Sequence, residues 1–358
     1  MIDFELTDEQ QAIRDMLREF SANEIAPRAR SQDEAGQIDS ELMSAIWKLE
    51  IIQSQSEGGG RSPFLAAIVL EELAAGDASV ATAVASTMAY SLAIVDYGTE
   101  EQKRRLTEVL KAPEFQASAI AVMEPSFACP AERMKTEAVD EGRRTYLRGT
   151  KSMVPLASGC RDFLVLARYK GQEAAFIVPR ETRGVTVREP CQTVGLRALQ
   201  LSEVVFDNVE IDPGMQLGGV DGCDTQKIRD GARTAQSCIM TGLSVAVMNH
   251  VVPYVKERVV HGAPLAQKQS VAFRVADMRI DTEAMRWMNW RSAWEIETGQ
   301  SATRLAALAC AFAGEKTMKI ADEGLQMFGG HGFVCEHPLE MWYRNARAIS
   351  VLEGVAGL

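Results

Sequence analysis

Apolar positions through the first 112 residues recur at helical spacing. Phe4, Leu6, Ile13, Met16, Leu17 and Phe20 fall on one face, and Thr7 followed three residues later by Gln10 predicts a helix start. Pro27 predicts the end of that helix, because the residue before a proline avoids helical geometry. A second helix is predicted over Glu41 to Leu49. A glycine-rich loop, EGGGRSP, then leads into Leu65 to Ala75 and a small-residue helix from Ala78 to Val95, whose composition suits close helix packing. Thr99 and Gln102 mark a further start. From about residue 113 the segments become short, β-branched and aromatic: TYLRGTKSMV, DFLVLARY, AAFIVPR, GVTVREP and SEVVFDNVEI. Their spacing predicts an antiparallel β-barrel or sandwich. Near residue 225 the helical period returns, over Arg233 to Val260 with Gly242 and Pro253 as breakers, then Gln269 to Thr298 and Thr303 to Phe328. The expected fold is therefore α+β, with an N-terminal helical domain (1–112), a middle β domain (113–224) and a C-terminal helical domain (225–358).

Composition narrows the function. The chain has 358 residues, 46% of them hydrophobic, enough for a large core and for two or three domains. A net charge of −11 argues against non-specific nucleic-acid binding, which needs a basic surface. MIDFELTDEQ lacks a basic start followed by an apolar run, so no signal peptide is expected, and no uninterrupted apolar segment reads as a membrane span. The seven cysteines are odd in number and scattered without a C-x-x-C, which predicts free thiols, a reducing compartment and a cytoplasmic location. The four histidines show no metal-ligand spacing, so no metal site is expected.

The C-terminal stretch holds the candidate chemistry. Gly329, Gly330 and Gly332 follow a helix ending near Gln326, and glycines this dense allow the backbone to approach another molecule closely. Further on, Glu353 precedes Gly354 amid Ile349, Val351, Leu352 and Val355. A carboxylate poorly solvated there is a stronger base toward a weak carbon acid. A glutamate near the end of a chain is otherwise a solvated surface residue. Arg258-x-x-His261-Gly262-x-Pro264-Leu265, with Gln269 four residues on, reads either as a helix end with a turn or as a guanidinium fork for phosphate. Asp230-x-x-Arg233 reads equally as the polar start of a helix or as a ligand contact. Trp287, Trp290 and Trp294 form a helical stripe suited to the core or a subunit interface.

The order Q-x-x-G-G-x-G, R-x-A-R and E-G, carried by Gln326 to Gly332, Arg344 to Arg347 and Glu353-Gly354, resembles the C-terminal signature of the acyl-CoA dehydrogenase family of flavoproteins. The order of helical, β and helical segments matches that family along essentially the whole chain, and the C-terminal part is then expected to be a four-helix bundle. The resemblance implies that Glu353 removes the α-proton of an acyl thioester while the β-hydride passes to FAD. It also implies that the Glu353 N–H and a ribityl hydroxyl of FAD hold the thioester carbonyl, with Gly354 beside it. Arg258, Gln269, Gln326, Gly329 and Gly330 would contact FAD across a subunit boundary, requiring at least a dimer and matching a dimer of dimers. Asp230 and Arg233 would contact the CoA arm, and an electron-transferring flavoprotein is the implied electron acceptor.

Several positions depart from the family pattern. Where T-E-P-x-A-G-S-D is usual, this chain has Met123-Glu124-Pro125 and then Cys129-Pro130. The G-x-K-x-[WY]-I-[ST] motif becomes Gly149-Thr-Lys151-Ser-Met153-Val-Pro155, Val355 replaces a threonine, and Gly195-Leu-Arg197 is kept. Pro155 has no N–H to donate to a flavin ring. These departures leave two alternatives open: a flavin-poor partner subunit of a hetero-oligomer, or a dehydrogenase of carrier-protein-bound thioesters.

Overall fold

The computed structural model describes residues 5–56, 60–126 and 133–358; Phe4, part of the glycine-rich loop and the Cys129-Pro130 step lie outside the described residues. Helix α1 (Asp8–Phe20) starts as its sequence predicts: the Thr7 hydroxyl accepts the Gln10 N–H, and the Gln10 side chain accepts the Thr7 N–H. Pro27 does not end the run. A π-turn (Ser21–Ile25) joins α1 to α2 (Ala26–Ala35), and Pro27 falls in the first turn of α2, where its missing N–H would have had no helical partner. There follow α3 (Ser40–Trp47), α4 (Ile51–Ser56), α5 (Pro63–Gly76), α6 (Ala78–Tyr97) and α7 (Glu100–Leu110), with Ser62, Asp77 and Thr99 capping the last three.

The middle segment forms one seven-stranded sheet from β1 (Ser118–Ala121), β2 (Glu137–Glu141), β3 (Arg144–Val154), β4 (Asp162–Tyr169), β5 (Gln172–Pro179), β6 (Val185–Val187) and β7 (Ser202–Ile211). The path runs β1-β4-β2-β3-β7-β6, with β5 on the other edge of β4. Most pairs are antiparallel as expected, but β4 runs parallel to both β1 and β2. Strand β4 reads as a continuous apolar run because both its faces are covered. Phe163, Val165 and Ala167 enter the sheet core with Phe176, Val204 and Phe206, while Leu164 and Leu166 pack on Tyr90 and Ile94 of α6.

Helix α8 (Thr225–Glu257) opens the last segment, and Pro253 is accommodated one turn before its end. A short hairpin, β8 (Val259–Val260) with β9 (Ala263–Pro264), turns through His261 and Gly262, both at positive φ, the geometry a two-residue hairpin favours. Then come α9 (Gln269–Glu297), α10 (Thr303–Phe328) and α11 (Leu339–Ile349). Helices from both ends of the chain share one core, which holds Leu17, Leu42, Leu70 and Leu73 together with Ile239, Val251, Met285 and Ile320.

Contrary to expectation, α6 and α8 are each long and apolar enough to cross a membrane by length and composition. Both are largely buried within the fold, where alanine, serine and threonine let α5, α6 and α8 approach closely.

Candidate active site

Two strand ends and the segment after α11 meet at Glu353. Beyond β1 the chain runs through Val122, Met123 and Glu124, and this step is pinned on both sides. The Met123 carbonyl accepts the Ser152 N–H of β3 at 2.9 Å, and the Val122 carbonyl accepts Lys151 Nζ at 3.0 Å. Lys151 is fully buried, and its ammonium also meets Glu124 Oε1 at 3.2 Å. Glu124, buried too, accepts the N–H groups of Lys135 and Thr136, each at 2.8 Å. Burial pushes the Glu124 carboxyl up, but the Thr136 side chain, the Lys151 ammonium and those two N–H groups outweigh it and hold it at about 2. The surviving Glu124 and Lys151 of the two family motifs thus form a buried ion pair. Gly149, at φ +143°, is fixed by packing as well: a Cβ there would fall 2.6 Å from the Thr136 hydroxyl.

Glu353 lies against this step. Its backbone N–H donates to the Met123 thioether at 3.2 Å. Gly354, at φ +65°, presses on Val122 so closely that an added Cβ would fall 2.6 Å from a valine methyl. The Glu353 carboxylate accepts Arg233 Nε at 3.1 Å and Nη2 at 2.5 Å. Its side chain is 44% exposed and that of Arg233 28% exposed. The expectation of a desolvated glutamate is therefore corrected: Val351 points outward, and a guanidinium occupies the carboxylate. For the Glu353 carboxylate to meet any other molecule, that pair has to open. Gln236 of α8 carries the carbonyls of Ile349 and Leu352 on its side-chain amide at 2.8 and 2.6 Å, and so holds the approach to Glu353.

Asp230, one turn before Arg233, is buried with both oxygens engaged, by Gln226 at 2.8 Å and by Thr303 at 2.6 Å. It acts as a tie between α8 and α10. A cleft of about 520 Å³ lies beside it, lined by Arg61, Asp96, Tyr97, Asp230, Gly231 and Leu358 among others; Arg233 and Glu353 are not in its wall.

The candidate cofactor residues gather elsewhere. Tyr254, one turn before Arg258, stacks on Phe328 with ring centroids 3.7 Å apart, and its hydroxyl meets His331 Nδ1 at 3.1 Å. This contact brings the Arg258 end of α8 to the glycine run. Gly329 adopts φ +55°, ψ −129°, a conformation open to glycine, and no atom stands within 4 Å of a Cβ at Gly329 or Gly330. Arg258, Gln269 and Gln326 are exposed, and their side chains have no hydrogen bond or ion pair among the described residues. An unpaired guanidinium, two free amides and an open glycine turn suit a pyrophosphate. Nothing in the sequence pointed to Tyr254 or to the contact between Met123 and Glu353, since neither follows a local motif.

Gly195 and Arg344 also find their partners. The Leu196 N–H donates to Asn345 Oδ1 at 2.7 Å, and a Cβ at Gly195 would fall 2.3 Å from the Arg344 carbonyl oxygen. The G-x-R turn is thereby docked on α11.

Three family profiles span the chain: the acyl-CoA dehydrogenase N-terminal domain over residues 7–112, the middle domain over 119–209 and the C-terminal domain over 225–357. The chain is 30% identical to a short-chain-specific acyl-CoA dehydrogenase of Clostridium acetobutylicum, over 99% of this chain and 97% of that one. It superposes on butyryl-CoA dehydrogenase from Megasphaera elsdenii with a TM-score of 0.90 at 28% identity, covering 99% and 96% of the two chains. A structure described as an electron transferring flavoprotein of Acidaminococcus fermentans matches with a TM-score of 0.90 at 26% identity and the same coverage. On its three matched domains and its fold, this chain belongs to the acyl-CoA dehydrogenase family of oxidoreductases.

Proposed function

We propose that this protein is an FAD-dependent acyl thioester dehydrogenase acting on acyl-CoA, with Glu353 as the base that removes the α-proton to give a 2-enoyl thioester. The observation that carries the reading is the placement of Glu353. Its carboxylate is held by Arg233 and its backbone N–H by the Met123 thioether, so that, with these weak or displaceable partners moved, a single residue would supply both a base and a carbonyl donor. The α-hydrogen of a thioester is weakly acidic, so a donor to the carbonyl oxygen stabilises the enolate charge as the proton leaves. Arg233 holds the base until substrate enters, and Gly354 lets the backbone bring the Glu353 N–H against Met123. FAD, when bound, supplies the acceptor for the β-hydride. Arg258, Gln269, Gln326, Gly329 and Gly330 would hold its pyrophosphate end. At the ring end Met123, Met153 and Pro155 offer no hydroxyl, which leaves backbone groups to bind it.

The stripe of Phe273, Ile280 and Trp287 along α9, 61%, 64% and 40% exposed, supports a homotetramer built as a dimer of dimers, because it is too apolar for solvent alone. Electron-transferring flavoprotein is the proposed acceptor. A cytoplasmic location is proposed from the free cysteines among the described residues.

The test is Glu353→Gln. Turnover should vanish while flavin content and fold stay the same; full activity in that variant refutes the assignment. A second reading, a flavin-poor partner subunit, is favoured by the self-satisfied groups at Glu353 and by the missing ring hydroxyls. It predicts a colourless protein that gains flavin only when co-expressed with a partner.

A further inference from the structure

The contact between Met123 and Glu353 goes beyond what the family resemblance supplies, though it rests on the reading of Glu353 as the base. A backbone N–H aimed at a reaction site is usually left to water or to the substrate. Here the N–H of Glu353 is taken by the Met123 thioether at 3.2 Å. The arrangement is built from both sides. Met123 is fixed through its carbonyl to Ser152, and its neighbours are fixed by Lys151, through the Val122 carbonyl and the Glu124 carboxylate. Opposite, Gly354 packs on Val122 with no room for a side chain. Two pinned backbones thus present sulfur to N–H, and the half-buried methionine packs against the helical core.

Sulfur is a weak acceptor, and methionine is flexible enough to change rotamer without moving its backbone. A thioester carbonyl accepts more strongly, and an enolate oxygen more strongly still. We propose that Met123 is a gating residue for substrate. Its thioether occupies the Glu353 N–H in the resting site, keeps that donor dry and oriented, and swings aside when the thioester carbonyl arrives. The side chain is a positioning residue, since its effect is exerted through the Glu353 N–H. The weakness of its bond is what allows the exchange; a stronger acceptor at residue 123 would block the site.

The experiment measures binding, free of turnover, with a 2,2-dimethylacyl-CoA thioester. This probe keeps the carbonyl but has no α-hydrogen to lose. Titration of the holoenzyme by calorimetry should show Met123→Leu binding the probe about threefold to tenfold more tightly than the parent, the effect of one modest competing hydrogen bond removed. Met123→Gln, with an amide oxygen of similar reach, should bind it more weakly by a comparable factor. Leucine keeps the apolar packing, so it remains informative if the glutamine variant fails to fold. Equal affinity for the parent and Met123→Leu overturns the gate while leaving the Glu353 assignment standing. Failure of the folded parent to bind the probe overturns both.

Discussion

Replacing Lys151 by methionine tests what holds the step that faces Glu353, the proposed base. The substitution keeps the apolar stem and removes the ammonium. Glu124 then stays buried with two backbone N–H donors but without its cation. Breaking a buried pair from one side costs about 3–5 kcal/mol, because a charge is stranded. The carboxyl gives an independent measure. It lies at about 2 in the folded protein against an ordinary 4.5, and at about 1.4 kcal/mol per pH unit the whole environment of Glu124 contributes up to about 3.5 kcal/mol. Since the folded value is the lower one, this contribution is complete above about pH 4.5 and is lost as the pH falls from there toward 2. Lys151→Met should therefore lower the unfolding free energy near pH 7 by about 3 kcal/mol, roughly a hundredfold in the folded-to-unfolded ratio. Adding Glu124→Gln should recover part of the loss, because a neutral amide no longer strands a charge while its oxygen still accepts an N–H. Urea unfolding of the parent, the single variant and the double variant reads this directly. A loss under about 1 kcal/mol, or a double variant less stable than the single one, would refute the reasoning. Lys151 also carries the Val122 carbonyl, so the variant should loosen the step that faces Glu353.

The remaining expectations follow from geometry. Gly354→Ala, at φ +65° and with no room beside Val122, should cost about 1–3 kcal/mol and depress turnover, whereas Gly330→Ala, in open space, should leave thermal stability within about 0.5 kcal/mol. His250 is bonded through Nε2 to His337 Nδ1 at 3.2 Å, and burial, then His337, hold it below its ordinary 6.5. The unfolded chain therefore takes up that proton first, so the stability involved is present above about pH 6.5 and is lost as the pH falls; His250→Gln should flatten the fall in unfolding midpoint. Ile280→Asp on the exposed stripe of α9 should shift the oligomer to smaller species in size-exclusion chromatography, and an unchanged elution volume would remove that face from the assembly.

Local signals in the sequence carried the elements well. Thr7 with Gln10 and Thr99 with Gln102 marked true capping boxes, because a cap and its partner lie within one turn. The strands at 162–169 and 202–211 and helix α10 ended where their apolar patterns did. Pro27 misled because a π-turn, a matter of backbone hydrogen bonds, set the join before it. The parallel pairings of β4 were equally invisible, since strand composition does not encode neighbour direction. At the site, Glu353 and Arg233 were legible as residues, and their ion pair was not. The partners are 120 positions apart and are joined only by the fold, as are Met123 and Glu353, 230 apart. A carboxylate amid apolar neighbours in sequence looked desolvated, yet Val351 faces outward.

The core shared by the two ends of the chain has a consequence for biosynthesis. Helix α5 ends at Gly76 and is buried against α8, which begins at Thr225, about 150 residues later. At roughly 5–20 residues per second, a ribosome takes on the order of 10–30 s to cross that gap. Throughout that interval the apolar faces of α5 and α6 that α8 later covers stay open, although α1 and β1 are already there to pack on their other sides. Newly made α5 and α6 are therefore natural clients for a chaperone, and a fragment ending before α8 is expected to aggregate when expressed alone.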